Sequence, residues 1–316
     1  MRIVYLGTPS FAVPPLEAII ANGHDVVAVF TQPDRPKGRG QQLAPSPVKE
    51  CALAHQIPVH QPERIRRPEA VELLRGLHAE AMVVVGYGQI IPQSILDLPP
   101  LGIVNVHASL LPAYRGAAPI QWAIANGETI TGVTTMKIDA GLDTGDILLM
   151  QESPVGPNEN AVELSSRLSI LGAVLLTETL TGLAAGTIVP RPQDNSRATY
   201  APILKKEDGR IDWNLSSSRI ECRVRGFLPW PGCYTAFRGQ RLHVWKAKVH
   251  PSPAPADSYP GVVFSQNSRL FAVCGEGSTL ELLEVQIEGR KKLDSRAFLN
   301  GHRLVEYERL GGESNI

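Results

Sequence analysis

The sequence predicts an α/β protein in two parts: a mostly parallel sheet flanked by helices, followed by a small antiparallel β-barrel. Three observations support this. The first 31 residues run strand, helix, strand, the opening of a parallel sheet. A continuous apolar run from Ala81 to Gly86 suits a central strand buried on both faces. Beyond residue 200 the pattern changes to short β-rich runs separated by glycine-bearing turns, as in a small barrel.

Each element follows from its residues. Residues 2–7 and Asp25 to Thr31 read as strands, and Ser10 to Ala21 as the helix between them. Pro14 and Pro15 suit only a first helical turn, where a missing N–H costs nothing. The turn Gly7-Thr8-Pro9-Ser10-Phe11 has one glycine where the dinucleotide fingerprint needs three, so no nicotinamide cofactor is expected. Residues 32–47 hold four prolines, two glycines and the basic residues Arg35, Lys37 and Arg39. They are expected to form a long irregular loop, a basic arm able to meet phosphates.

Helices are predicted over Val48 to His55, Pro68 to Leu77, Pro92 to Leu96 and Ala118 to Asn126. Strands are predicted over Leu101 to His107, Thr131 to Ile138 and Ile147 to Glu152. Asn160-Ala161-Val162-Glu163 fits a capping box that opens a long helix to Leu183. Leu164, Leu168, Leu171, Leu175 and Leu176 recur there at helical spacing and are expected in the core. The proline-bearing stretch from Gly182 to Pro202 reads as a linker. One helix, Ser217 to Gly226, then precedes five short strands: Cys233–Phe237, Leu242–His250, Gly261–Phe264, Leu270–Cys274 and Leu280–Ile287. The resulting expectation is a Rossmann-like domain over 1–188, a linker over 189–206 and an OB-like domain over 207–316.

A chain of 316 residues suits two domains. No run approaches the roughly 18 apolar residues of a membrane span. The N-terminus enters a strand directly, without the layout of a signal peptide, so the expected location is cytoplasmic. Cys51, Cys222, Cys233 and Cys274 form no CxxC pair, which argues against structural zinc and for small buried thiols. The net charge is zero, but unevenly distributed. Residues 1–200 carry 14 Lys/Arg against 18 Asp/Glu, and residues 201–316 carry 17 against 13. A basic second part is compatible with an anionic partner.

The chemistry concentrates in two segments. In the strand ending at His107, Asn105 and His107 are two apart and share a face. An amide and an imidazole at the end of a buried strand are costly unless satisfied or used. The second segment, Gly141-Leu142-Asp143-Thr144-Gly145, places an aspartate between glycines that let the backbone approach a ligand. Taken singly, His107 reads as a core histidine and Asp143 as a turn residue. Together the trio suits acyl transfer through an oxyanion: a neutral amide as fixed donor, an imidazole to donate or accept, and a carboxylate to orient it or shuttle a proton. A serine hydrolase lacks its Gly-x-Ser-x-Gly elbow. His24, His55, His60 and His78 are too dispersed for a metal hydrolase.

Asn105-Val106-His107, Ser109-Leu110-Leu111-Pro112 and Gly141-Leu142-Asp143-Thr144-Gly145-Asp146 resemble the folate-dependent formyltransferase family. Phe30-Thr31-Gln32-Pro33-Asp34-Arg35-Pro36, Gly38-Arg39-Gly40, Arg115-Gly116-Ala117-Ala118-Pro119-Ile120-Gln121, Ile211-Asp212-Trp213 and Pro229-Trp230-Pro231 extend the resemblance over essentially the whole chain. They point to the branch whose acceptor is methionine-charged initiator tRNA. The resemblance implies Asn105, His107 and Asp143 as catalytic residues. It implies folate contacts for Ser109, Leu110, Leu111, Pro112 and Ile90, and 10-formyltetrahydrofolate as co-substrate without a metal. Arg35, Lys37 and Arg39 would contact the tRNA acceptor end, the C-terminal barrel would hold the rest of the tRNA, and the protein would act as a monomer in translation initiation. Two alternatives remain at this point: a formyltransferase for a nucleotide-linked amino sugar, and a non-catalytic RNA-binding protein.

Overall fold

The computed structural model describes residues 1–37 and 42–311. The chain divides into two compact units: Met1–Pro119, Ile130–Pro154 and Ser165–Ala201 form the first, and Ile120–Thr129, Val155–Leu164 and Pro202–Ile316 the second.

The first unit is built on a seven-stranded sheet: β1 (Arg2–Gly7), β2 (Asp25–Phe30), β3 (Val59–His60), β4 (Ala81–Val85), β5 (Ile103–His107), β6 (Ile130–Lys137) and β7 (Ile147–Pro154). Their order is β7-β6-β5-β4-β1-β2-β3. Pairing is parallel from β3 through β5, and antiparallel at β5–β6 and β6–β7. Residues in the middle of the sheet are buried on both faces: every residue of β4 and of β5 is buried. This explains why β4 reads as an unbroken apolar run rather than an alternating one.

The helices start where their sequences allow. A 3-10 turn at Ser10–Ala12 leads into α1 (Val13–Ala21), with prolines in the first turn as expected. Ser46 caps α2 (Pro47–Ala54) by accepting the Lys49 N–H at 3.1 Å. The helices α3 (Pro68–Gly76), α4 (Gln93–Leu96) and α5 (Pro119–Ala125) follow. The box opening α6 (Ala161–Ala185) is reciprocal: the Asn160 side-chain oxygen accepts the Glu163 N–H at 3.1 Å, and Glu163 accepts the Asn160 N–H at 3.0 Å.

Two expectations need correction. The basic segment is not an irregular loop: Arg35–Lys37 and Gln42–Ala44 pair as an antiparallel hairpin. Its proline density hid this, because Pro36 tolerates an edge position that a central strand would refuse. Asp34 anchors the base of the hairpin, where its carboxylate takes Lys49 Nζ at 2.6 Å and Gln61 Nε2 at 2.7 Å. These partners hold its carboxyl below the usual range. The second concerns the expectation that no run approaches a membrane span: α6 is long and apolar enough to cross one by length and composition alone. Leu164, Leu168, Leu176 and Leu180 are nevertheless fully buried in the protein, so it is a core helix. Gly172 sets its approach to the sheet, since a Cβ there would lie 2.9 Å from Val106 Cγ1.

The second unit carries a six-stranded antiparallel sheet: β8 (Cys233–Phe237), β9 (Gln240–His250), β10 (Val263–Gln266), β11 (Arg269–Val273), β12 (Thr279–Ile287) and β13 (Leu293–Asp294). The ladder runs β8-β9-β12-β11-β10, with β13 on β12. Among the described residues no pairing joins β8 to β10, as in a partly open barrel. The helix α7 (Ser217–Gly226) has the predicted bounds. A further helix, α8 (Ser295–Gly301), lay outside the sequence reading. Asp294 caps it through the Ala297 N–H at 2.8 Å, and Phe298 buries its ring 5.4 Å from that of Phe237.

Because α6 rests on Val106 through Gly172, Gly172→Val is expected to overpack this contact and destabilise the protein by about 1–3 kcal/mol. Thermal unfolding monitored by circular dichroism reads this as a lowered Tm.

Candidate active site

The residues singled out in the sequence meet at the carboxyl end of β5. Asn105 pairs with Val84 of β4 on one side and Met136 of β6 on the other, and His107 pairs with Thr134. Both side chains are buried, at 9% and 6% exposure. Val106 faces the opposite way, under α6. Among the described residues the Asn105 side chain has no hydrogen-bond partner, so its amide donors are uncommitted.

His107 is oriented from both sides. Its Nε2 lies 2.9 Å from the Tyr114 carbonyl oxygen. A carbonyl only accepts, so Nε2 carries the proton. Tyr114 has a left-handed backbone at φ 60, unusual for a bulky residue. The other nitrogen, Nδ1, lies 3.7 Å from Asp143 Oδ2. That exceeds hydrogen-bond length, and is an ion-pair contact only when the ring is protonated.

Asp143 is itself held. Its Oδ2 accepts the Gly116 N–H at 2.8 Å. Gly116, at φ 120, needs to be glycine, because a Cβ would meet the Ala201 carbonyl oxygen at 2.6 Å. Asp143 is left-handed as well, at φ 52, a conformation that aspartate tolerates. The loop around it is tied by Asp139, which accepts the Gly141 N–H at 3.0 Å and the Thr144 hydroxyl at 2.7 Å.

The segment implied to contact folate is only partly open. The Ser109 hydroxyl donates to Ala113 O at 2.6 Å, and Thr134 donates to Ser109 O at 2.7 Å. Leu111 is buried against Met136 and Ile147. Leu110 and Pro112 are half-buried. Beneath Leu110 runs Gly132, where a Cβ would lie 2.4 Å from Leu110 Cδ2. Ile90, after β4, stands 89% exposed. The ring of the preceding Tyr87 is buried among Ile65, Leu74 and Ile95 instead of facing the cleft, and burial pushes its phenol up. Arg35 and Lys37 stand on the first strand of the basic hairpin, and Arg39 lies outside the described residues.

Sequence reasoning missed one part of the site. The segment expected to be a linker lies alongside the loop after β5: Tyr200 pairs with Arg115, and Ala201 with Gly116. From it Gln193 reaches the Asp143 loop, donating to Asp143 O at 2.9 Å and Gly145 O at 2.7 Å. Its proline-rich surroundings gave no periodic signal to find it by.

With this geometry in place, comparison with known proteins defines the class. The formyl transferase family model matches residues 1–180, and the model of its C-terminal domain matches residues 203–303. The chain belongs to the formyltransferase family. Among its relatives, the methionyl-tRNA formyltransferase of Solibacter usitatus is 63% identical over 98% of this chain and 99% of that one. The enzyme of the same name from Koribacter versatilis is 54% identical over 98% and 99%. The fold is shared with a sugar 3-N-formyltransferase determined with dTDP and 5-N-formyl-tetrahydrofolate (TM-score 0.68, 19% identity, covering 92% of this chain and 99% of that one). It is also shared with methionyl-tRNA formyltransferase from Clostridium thermocellum (TM-score 0.55, 18% identity, 91% and 98%).

The cysteines are poor nucleophiles. Burial raises all four thiols, and pushes Cys233 and Cys274 up to about 12. Both therefore stay protonated at pH 8. Iodoacetamide at that pH is expected to leave Cys233 and Cys274 unlabelled in the native protein, and peptide mass mapping checks this.

Proposed function

We propose that this protein transfers the formyl group of 10-formyltetrahydrofolate to the α-amino group of methionine on initiator tRNA, as a cytoplasmic monomer. One observation carries the chemistry: a buried, uncommitted Asn105 amide beside a His107–Asp143 pair whose ring nitrogen and carboxylate oxygen stand 3.7 Å apart. The acceptor follows from the similarity of the whole chain to enzymes named methionyl-tRNA formyltransferase.

Each residue then has a task. The folate co-substrate supplies the formyl group, bound across Leu110, Pro112 and Ile90, with Ser109 and Leu111 shaping the backbone beneath. Exposed Ile90 and half-buried Leu110 and Pro112 offer the apolar surface that a flat aromatic ligand needs. Asn105 donates to the formyl oxygen as negative charge develops there. A neutral amide held by a strand needs no reorganisation to do so. His107, with Nε2–H fixed on the Tyr114 carbonyl, turns Nδ1 toward Asp143. The proton lost by the attacking amine passes to this pair and from it to N10 as the N10–formyl bond breaks, releasing tetrahydrofolate. The remaining barrier is placement, since the reacting groups come from two bound molecules.

The acceptor needs more surface than the trio provides. Arg35 and Lys37, on the paired basic segment, together with Arg39, contact phosphates of the acceptor end. The proposed division of labour gives chemistry to 1–188 and tRNA binding to 207–316, where the charge is net positive, while 189–206 connects the two and also supports the Asp143 loop through Gln193. Transfer of labelled formyl to methionine-charged initiator tRNA tests the reading, with uncharged tRNA and a nucleotide-linked amino sugar as parallel acceptors. Label on the sugar alone would overturn it.

Asn105→Ala is expected to lower kcat about 10²–10³-fold, on the order of 3 kcal/mol of lost oxyanion stabilisation. A loss below about threefold in a folded variant contradicts the role assigned to the amide. Arg39→Ala is expected to slow formylation of charged tRNA while leaving a small free amine unaffected, and tRNA affinity is expected to fall steeply with salt. Equal loss on both acceptors removes Arg39 from tRNA recognition.

A further inference from the structure

We infer that Arg115 and Gln193 are positioning residues that hold Asp143 in place for the reaction. The inference rests on the role proposed for Asp143. Arg115 is a buried cation, 2% exposed, and among the described residues no carboxylate pairs with it. Its donors go instead to side-chain amides: Nε and a terminal nitrogen reach Gln193 Oε1 at 3.1 and 2.7 Å, and Asn195 Oδ1 is taken at 2.8 Å.

This fixes which way the Gln193 amide points. A guanidinium only donates and a carbonyl only accepts. With Arg115 on one side and the carbonyls of Asp143 and Gly145 on the other, one orientation satisfies all four contacts. The flipped amide would set N–H against guanidinium and oxygen against two carbonyls. Arg115 therefore locks Gln193, and Gln193 locks the Asp143–Thr144 and Gly145–Asp146 peptide units through their carbonyls. The next residue along from Arg115 completes the bracket, since the Gly116 N–H holds the Asp143 carboxylate directly. The same loop thus grips Asp143 at its side chain and, through Gln193, at its backbone. The grip answers a need: Asp143 stands at φ 52, a costly conformation that surrounding structure must enforce.

Gln193→Ala and Gln193→Glu test this, assayed beside the wild-type protein and Asp143→Asn. The glutamate keeps the acceptor for Arg115 and strengthens it with charge, yet removes both donors to the loop. Both Gln193 variants are expected to lose kcat about tenfold or more, with KM for folate and for tRNA within about threefold. Gln193→Glu is expected to remain folded, because the charged contact to Arg115 offsets part of the loss of two donors. Arg115→Met combined with Gln193→Ala is expected to be no slower than Gln193→Ala alone, because the two act in series. Wild-type kcat in folded Gln193→Glu overturns the inference, because a merely structural contact to Arg115 survives that change. If the wild type transfers no formyl, or Asp143→Asn is as fast, the proposed reaction itself fails. If Asp143→Asn is slow and the Gln193 variants are fast, only the bracket fails.

Discussion

Two polar side chains at the buried carboxyl end of one strand are the constraint on which the first unit depends. Asn105 and His107 share one face of β5, buried inside the sheet, with Asn105 between Val84 and Met136 and His107 beside Thr134. Burying an imidazole is tolerable only with a defined partner for each nitrogen. The chain after the strand turns back at once to supply one, the Tyr114 carbonyl. A loop from the far side of the sheet brings the other, Asp143. The unusual backbone at Tyr114, Gly116 and Asp143 clusters around these two contacts. Strain of this kind persists where the surroundings over-determine it, and here they do.

The opposite face shows the same economy. Between the two polar residues, Val106 packs beneath Gly172 of α6. A helix resting on a strand through a glycine sits closer than one resting through a side chain, and close packing transmits displacement. The strand is thereby clamped from behind, while its front presents the amide and the ring. The buried threonine pair of β6 and α6, Thr135 and Thr179 at 2.7 Å, adds a polar fastening to that clamp.

Much of this was legible in the sequence, for physical reasons. Strand period gave the common face of Asn105 and His107, and apolar run length gave the central strands. The Asn160–Glu163 spacing gave the start of α6, later seen as two reciprocal hydrogen bonds. Where local signals were weak or cancelled, the reading stopped. Proline at Pro36 disguised the hairpin. The two-residue strand Val59–His60 is too short to show any period. Tyr87 follows a central strand, yet its ring fills the core instead of the site. Gln193 lies 50 residues from Asp143, and no local pattern encodes a contact at that distance. The family resemblance named the trio, and its geometry came only with the fold.

The strap formed by residues 191–201 also bears on how the protein comes into being. Strands β1 to β7 and helix α6 are all made by residue 185, and the family model for this half ends at residue 180. Yet among the described residues the Arg115 guanidinium finds its acceptors at Gln193 and Asn195, and the loop after β5 is paired by residues 199–201. A nascent chain released at the end of α6 would own every strand of the sheet and all three members of the trio. It would still carry a buried guanidinium without acceptors and an aspartate without its bracket. Vectorial synthesis thus completes the sheet first and assembles the site last, so a truncated product would be a scaffold before it is an enzyme.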